Sequence, residues 1–173
     1  MNEEQDQSVF VKGLSYAAGA LLVILLGYLY FDDALEKQVN PNASPSSEST
    51  AMGTTVVLQR NKFGHYLSSG KIEGQEVLFF LDTGATDVSI PEGVAKKIGL
   101  KRGRPISVST ANGVVSVYST MLQTVELGRI KLHNIEANIN PHMSGQNILL
   151  GMSFLGELDF TQRGDQLSLH QGP

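Results

Sequence analysis

The residues best placed to do acid/base chemistry are Asp82-Thr83-Gly84, which follow directly on the apolar run Leu78-Phe79-Phe80-Leu81. A run of large apolar residues reads as a strand covered on both faces, and Thr-Gly turns the backbone where side-chain bulk would obstruct it. Asp82 is therefore expected at a rigid, partly desolvated position, which raises the free energy of the charged form and suits proton transfer if a second polar group stands opposite. Asp also opens turns for purely structural reasons. The triplet alone leaves both readings open.

Other chemistries find less to work with. His65, His133, His142 and His170 show no close metal-ligand spacing, and no His-Glu-x-x-His stretch occurs, so no metal is expected. Gly151-Met152-Ser153-Phe154-Leu155-Gly156 is one residue too long for a Gly-x-Ser-x-Gly nucleophile elbow, and Ser153 reads instead as helix-start chemistry. No Walker-type glycine loop is present, the chain has no cysteine, and no cofactor is called for. Lys96, Lys97, Lys101, Arg102 and Arg104 cluster without interleaved aromatic residues, which reads as a solvated helix end and loop and not as a nucleic-acid surface.

The elements that must position Asp82 follow mostly a period of two. Residues 54–58, 65–72 and 76–81 read as strands joined by turns, and 88–90 resumes extended structure after the Asp82 turn. Residues 91–99 read as a short helix with Pro at its start, a basic last turn and Gly past its end. Strands over 105–110 and 114–127 flank Ala111-Asn112-Gly113, and Asn-Gly between alternating stretches signals a tight hairpin. A strand at 132–139, a second buried run Asn147-Ile148-Leu149-Leu150-Gly151, a short helix after it and a hairpin at 158–169 complete the pattern. About nine short strands and two short helices predict an all-β, barrel-like domain.

In this order of elements the chain resembles the retropepsin-like aspartic proteases, and Ile148-Leu149-Leu150-Gly151-Met152-Ser153-Phe154-Leu155 is similar to their bacterial, membrane-anchored branch. The resemblance covers about residues 54–170. It implies a half-barrel fold in which Asp82 is catalytic, Thr83, Gly84, Ala85, Thr86 and Asp87 form the active-site loop, and Thr110, Ala111, Asn112 and Gly113 tip a flap over the substrate. Leu149, Leu150 and Gly151 would support the loop from beneath. Thr86 stands where the viral enzymes usually have a second Asp, and Met152-Ser153 replaces a basic residue followed by Asn or Asp. The Thr86 hydroxyl can still bond the peptide backbone, and Asp87 is left with two roles, peptide-backbone contact or turn capping.

The implied mechanism needs two carboxylates, one to take a proton from a water and one to polarise the scissile carbonyl. Two carboxyl groups about 3 Å apart share a proton and titrate as a pair. The sequence holds a single Asp-Thr-Gly and no Asp-Ser-Gly. A homodimer is then expected, with Asp82 of each copy meeting across a two-fold axis, the Thr83 hydroxyls bonding across it and a protein or peptide as substrate. The alternative is a non-catalytic dimerisation or peptide-binding module on the same fold, with Asp82 a turn residue. Ile90, Val114 and Leu149 are candidate pocket residues, which would favour apolar substrate side chains.

The start of the chain has a different character. Residues 13–31 are nineteen residues without a charge, near the roughly 20 needed to cross a bilayer as a helix. Tyr16, Tyr28, Tyr30 and Phe31 lie towards the ends, where aromatic side chains favour the membrane interface. No small-x-small cleavage site follows, so an uncleaved anchor is expected after a tail at 1–12, in preference to a signal peptide or a buried helix. In a bacterial cell this puts the rest of the chain on the periplasmic side of the inner membrane. Residues 32–53, rich in Asn, Pro, Ser, Thr and Glu, read as a flexible linker before a domain at 54–173; tether cleavage there would release a soluble form. Residues 1–52 carry two basic and seven acidic side chains while the remainder carries eleven and ten, so the expected domain is nearly neutral.

Overall fold

The computed structural model describes residues 3–110 and 113–173, and the side chains of all of these except 3–15, 17, 29 and 32–34. The chain divides into two units, Met1–Lys37 and Gln38–Pro173. The first is occupied by α1 (Glu3–Val39), which continues two residues into the second. Leu21, Leu22, Val23, Ile24, Leu25 and Leu26 on it are between 53% and 69% exposed. Among the described residues, no helix is long and apolar enough to cross a membrane.

The second unit is built from strands. One sheet has four, in the order β1 (Ser46–Thr50), β2 (Gly53–Gln59), β11 (Gln166–Gln171), β10 (Asp159–Arg163). The other has seven, in the order β3 (Leu67–Ile72), β4 (Gln75–Leu81), β9 (Asn147–Leu150), β5 (Val88–Pro91), β8 (Ile130–Asn140), β7 (Gly113–Leu127), β6 (Pro105–Thr110). β3 also pairs with β7 through Lys71↔Glu126 and Ile72↔Val125. That pairing closes six strands into a barrel and leaves β6 as an outer edge extending from β7.

Alternation along the central strands sorts side chains to two faces. Phe79, Leu81, Ile148, Leu150, Val88, Ile90, Ala137 and Ile139 point into the core and none is more than 9% exposed. Burying a residue of this size contributes about 1.5–3 kcal/mol. Two short helices plug the wall: α2 (Glu92–Lys97) buries Ala95, and α3 (Met152–Leu155) buries Phe154 and Leu155. Part of the basic cluster is spent within the fold, since Lys96 and Arg102 both pair with Glu92 and the Arg102 guanidinium lies 4.4 Å over the Tyr118 ring.

The expected flexible linker at 32–53 is corrected: residues 32–39 continue α1, and the stretch after them is ordered too. Ser46–Thr50 forms β1, paired antiparallel with β2 from Ser46↔Val57 to Thr50↔Gly53. Ahead of it Asn42 is 2% exposed and knits two strand ends together. Its amide donates to Gln59 O at 2.9 Å and Leu67 O at 2.6 Å, and its Oδ1 accepts from Gln59 N–H at 2.7 Å. Its own carbonyl accepts from Ser69 N–H at 3.1 Å and the Ser68 hydroxyl at 3.1 Å. Composition predicted disorder because the segment has little apolar surface to bury, whereas its order comes from polar side chains bonded to backbone. Asn42→Ala is expected to cost about 2–3 kcal/mol, because it strands buried backbone groups; urea unfolding of the full chain measures it.

Candidate active site

β9 lies between β4 and β5 in the sheet, parallel to β4 (Leu81↔Leu150) and facing β5 at Ser89↔Leu149. The loop joining β4 to β5, residues 82–87, must therefore straddle the end of β9. Asp82 N–H carries the ladder one residue further by donating to Leu150 O at 3.2 Å. The loop then folds back: Ala85 N–H donates to Asp82 O at 3.2 Å, and Gly84 N–H donates to the Asp82 Oδ1 at 2.9 Å. A backbone donor aimed at one carboxylate oxygen fixes the plane of the group. Asp82 is half-buried, while Thr83 and Gly84 are exposed.

The loop rests on the start of α3. Met152 N–H donates to Ala85 O and Ser153 N–H to Thr86 O, both at 2.8 Å. Beneath these bonds Gly151 leaves no room for a side chain: a Cβ there would stand 2.3 Å from Asp87 O and 2.7 Å from Ala85 O. Ser153 is not the helix-capping residue, a place taken by Gly151. The Ser153 hydroxyl accepts from Val88 N–H at 2.9 Å and donates to Glu136 O at 2.8 Å, bracing the start of β5 against β8.

The residues of the expected site are not all equivalent. Thr86 presents an exposed side chain and engages α3 through its carbonyl. Asp87 sets its carbonyl over Gly151. Leu149 is half-exposed on the face opposite the core, whereas Leu150 is wholly buried. Thr110 and Gly113 pair at the end of the β6–β7 hairpin, with the Thr110 hydroxyl donating to Gly113 O at 2.8 Å. Ala111 and Asn112 lie outside the described residues. Of the pocket candidates, Val114 is 73% exposed near the hairpin tip, but Ile90 is corrected: it is fully buried in the core, and its neighbour Ser89 faces the other way.

One neighbour was missed by the sequence reading. β3 pairs with β4 in the register Leu67↔Phe80, and Leu81 N–H donates to Tyr66 O at 3.0 Å. Continued by two residues, that register brings His65 alongside Asp82. The exposed His65 ring packs on Phe80 with centroids 5.0 Å apart. The pairing is a hairpin with Ile72↔Gln75 across Glu73-Gly74, so both that turn and the alternation from His65 into β3 carried the signal.

A hollow of about 350 Å³ is lined by Leu132, His133, Asn134, Ile135, Glu136, Ser153 and Glu157, none of them from the 82–87 loop. Among the described residues no group of His, Asp and Glu side chains is arranged to hold a metal ion.

Comparison with known proteins converges on this loop. A family described as "gag-polyprotein putative aspartyl protease" matches residues 68–157, which include β4, the 82–87 loop and β9. An uncharacterized protein from the cobV 5′ region of a Sinorhizobium species is 31% identical over 95% of this chain and 76% of its own length. An uncharacterized protein of Rickettsia prowazekii is 28% identical over 84% of this chain and 64% of its own length. Among solved structures, a retropepsin-like aspartic protease from Rickettsia conorii superposes with a TM-score of 0.59 at 28% identity, covering 74% of this chain and 96% of that one.

Proposed function

Because this chain belongs to the retropepsin-like aspartyl protease family, we propose that it is an endopeptidase whose active site is completed by a second copy of itself. The observation that carries the reading is one Asp-Thr-Gly per chain, with its carboxylate oriented by Gly84 N–H on an exposed loop. Two such loops facing across a two-fold axis bring the two Asp82 carboxyl groups together, with one proton between them. The ionised member takes a proton from water as it attacks the scissile carbonyl carbon. The protonated member gives its proton to the carbonyl oxygen, and the resulting tetrahedral diol collapses with proton transfer to the leaving nitrogen. Thr83, exposed and without a hydrogen-bond partner among the described residues, is free to bond across the axis. The β6–β7 hairpin closes over the bound peptide.

In this reading residues 13–31 anchor the chain in the inner membrane and the protease unit lies on the periplasmic side. Support comes from the uncharged run and its exposed Leu21–Leu26 side chains. Confinement to a plane raises the effective concentration of the partner copy. The test is cleavage of a peptide library by the detergent-solubilised full chain in mildly acidic buffer. A peptide with a hydroxyethylene group in place of the scissile amide should block it, since that group mimics the tetrahedral centre. Absence of cleavage, or cleavage indifferent to the mimic, would contradict the proposal.

A further inference from the structure

Four strand registers draw one row of side chains across the wall of the barrel on the face away from the core: Phe80↔Leu149, Leu149↔Ser89, Ser89↔Asn138 and Asn138↔Ser119. Alternation puts the Asp82 side chain on the same face, two residues beyond Phe80. On the core face the matching rows are wholly apolar, Val88 beside Ala137 and Ile90 beside Ile139. The Asp82 face changes character in mid-row, from half-exposed Phe80 and Leu149 to Ser89 and Asn138, which are 8% and 4% exposed.

The polar pair is built but not complete. The Ser89 hydroxyl donates to Asn138 Oδ1 at 2.7 Å, and the Met143 sulfur caps the same hydroxyl at 3.3 Å. Among the described residues the Asn138 amide nitrogen has no hydrogen-bond partner. The fully buried side-chain atoms without a partner among the described residues are Arg60 Nε and Tyr66 OH, so the Asn138 amide nitrogen still reaches the surface and can meet a ligand there. A Val or Leu in either place would match the neighbouring rows.

We propose that Ser89 and Asn138 form a polar subsite beside the apolar one made by Phe80 and Leu149, so that the cleft selects peptides carrying a small hydrogen-bonding side chain next to a large apolar one. The inference rests on the proteolytic reading. The Asn138 amide donates to the oxygen of a substrate Ser, Thr, Asn or Gln side chain, and the Ser89 hydroxyl holds the carboxamide in the plane that allows it. Phe80, with His65 packed on it, and Leu149 take the apolar neighbour.

The experiment compares two peptide series on the full chain, identical except that one position near the scissile bond is Ser, Thr, Asn or Gln in the first and Val, Ile or Leu in the second. The wild type is expected to favour the polar series about tenfold in kcat/KM, the worth of one net hydrogen bond. The Ser89→Val/Asn138→Leu double variant replaces both partners by apolar groups of similar shape and should reverse the preference while still cutting the apolar series. Ser89→Ala, which removes one hydroxyl, should narrow the preference and carries the test if the double variant does not fold. An unchanged preference in the variants, or an apolar preference in the wild type, overturns the subsite and leaves proteolysis standing. Cleavage of neither series by the wild type overturns both.

Discussion

Asp82→Asn should lower kcat/KM for peptide cleavage by at least about 10²–10⁴-fold, the usual worth of a positioned acid or base. The replacement has the same shape, and its Oδ1 can still accept from Gly84 N–H, the bond made at 2.9 Å in the native loop. The fold should survive, with the urea midpoint close to that of the wild type. Loss of rate without loss of stability assigns the carboxyl group to chemistry. A purely structural turn residue would leave both rate and stability unchanged, since Asn caps turns as readily as Asp. Unchanged cleavage in a preparation free of other proteases would remove Asp82 from the mechanism.

Gly151→Ala should damage the site without touching a reacting atom. The added carbon would stand 2.3 Å from Asp87 O, and the obstacle is backbone that cannot rotate aside. Ala85 O, 2.7 Å away, is also held by Met152 N–H at 2.8 Å, so relief must come from lifting the loop off α3. Overpacking of this kind costs about 1–3 kcal/mol. A shift of about 1 Å in a catalytic group lowers rate by about a hundredfold. Both effects are expected together, read as a lower urea midpoint and a reduced kcat. Wild-type stability and rate would show that the loop does not rest on Gly151 as described.

What the sequence made legible was the local geometry. Four apolar residues ending in Asp-Thr-Gly, the Asn-Gly hairpin and the Ile148–Gly151 run each declare themselves within about ten residues, because period and turn chemistry are short-range signals. The insertion of β9 between β4 and β5 is not of that kind, since it joins residues nearly seventy apart in the chain. His65 is a different case: the Glu73-Gly74 turn between β3 and β4 sets a register that carries it to Asp82, a local signal not followed past the strand end. Asn42 and β1 were lost for another reason: their order comes from hydrogen bonds made by polar residues, which composition reads as disorder. Ile90 shows a signal present and misassigned. Val88-Ser89-Ile90 alternates, and the apolar positions of such a stretch belong to the core, which leaves Ser89 for the opposite face.

The claim on which everything turns is that the site is shared by two copies, each giving one Asp82. Co-expression of wild-type and Asp82→Asn chains in equal amounts, followed by purification of the mixed population, tests it at fixed total protein. If every active site needs two wild-type chains, activity follows the square of the wild-type fraction and falls to about a quarter of the undiluted value. Activity of one half, in proportion to the wild-type chains present, would mean that each copy works alone and would contradict the shared site.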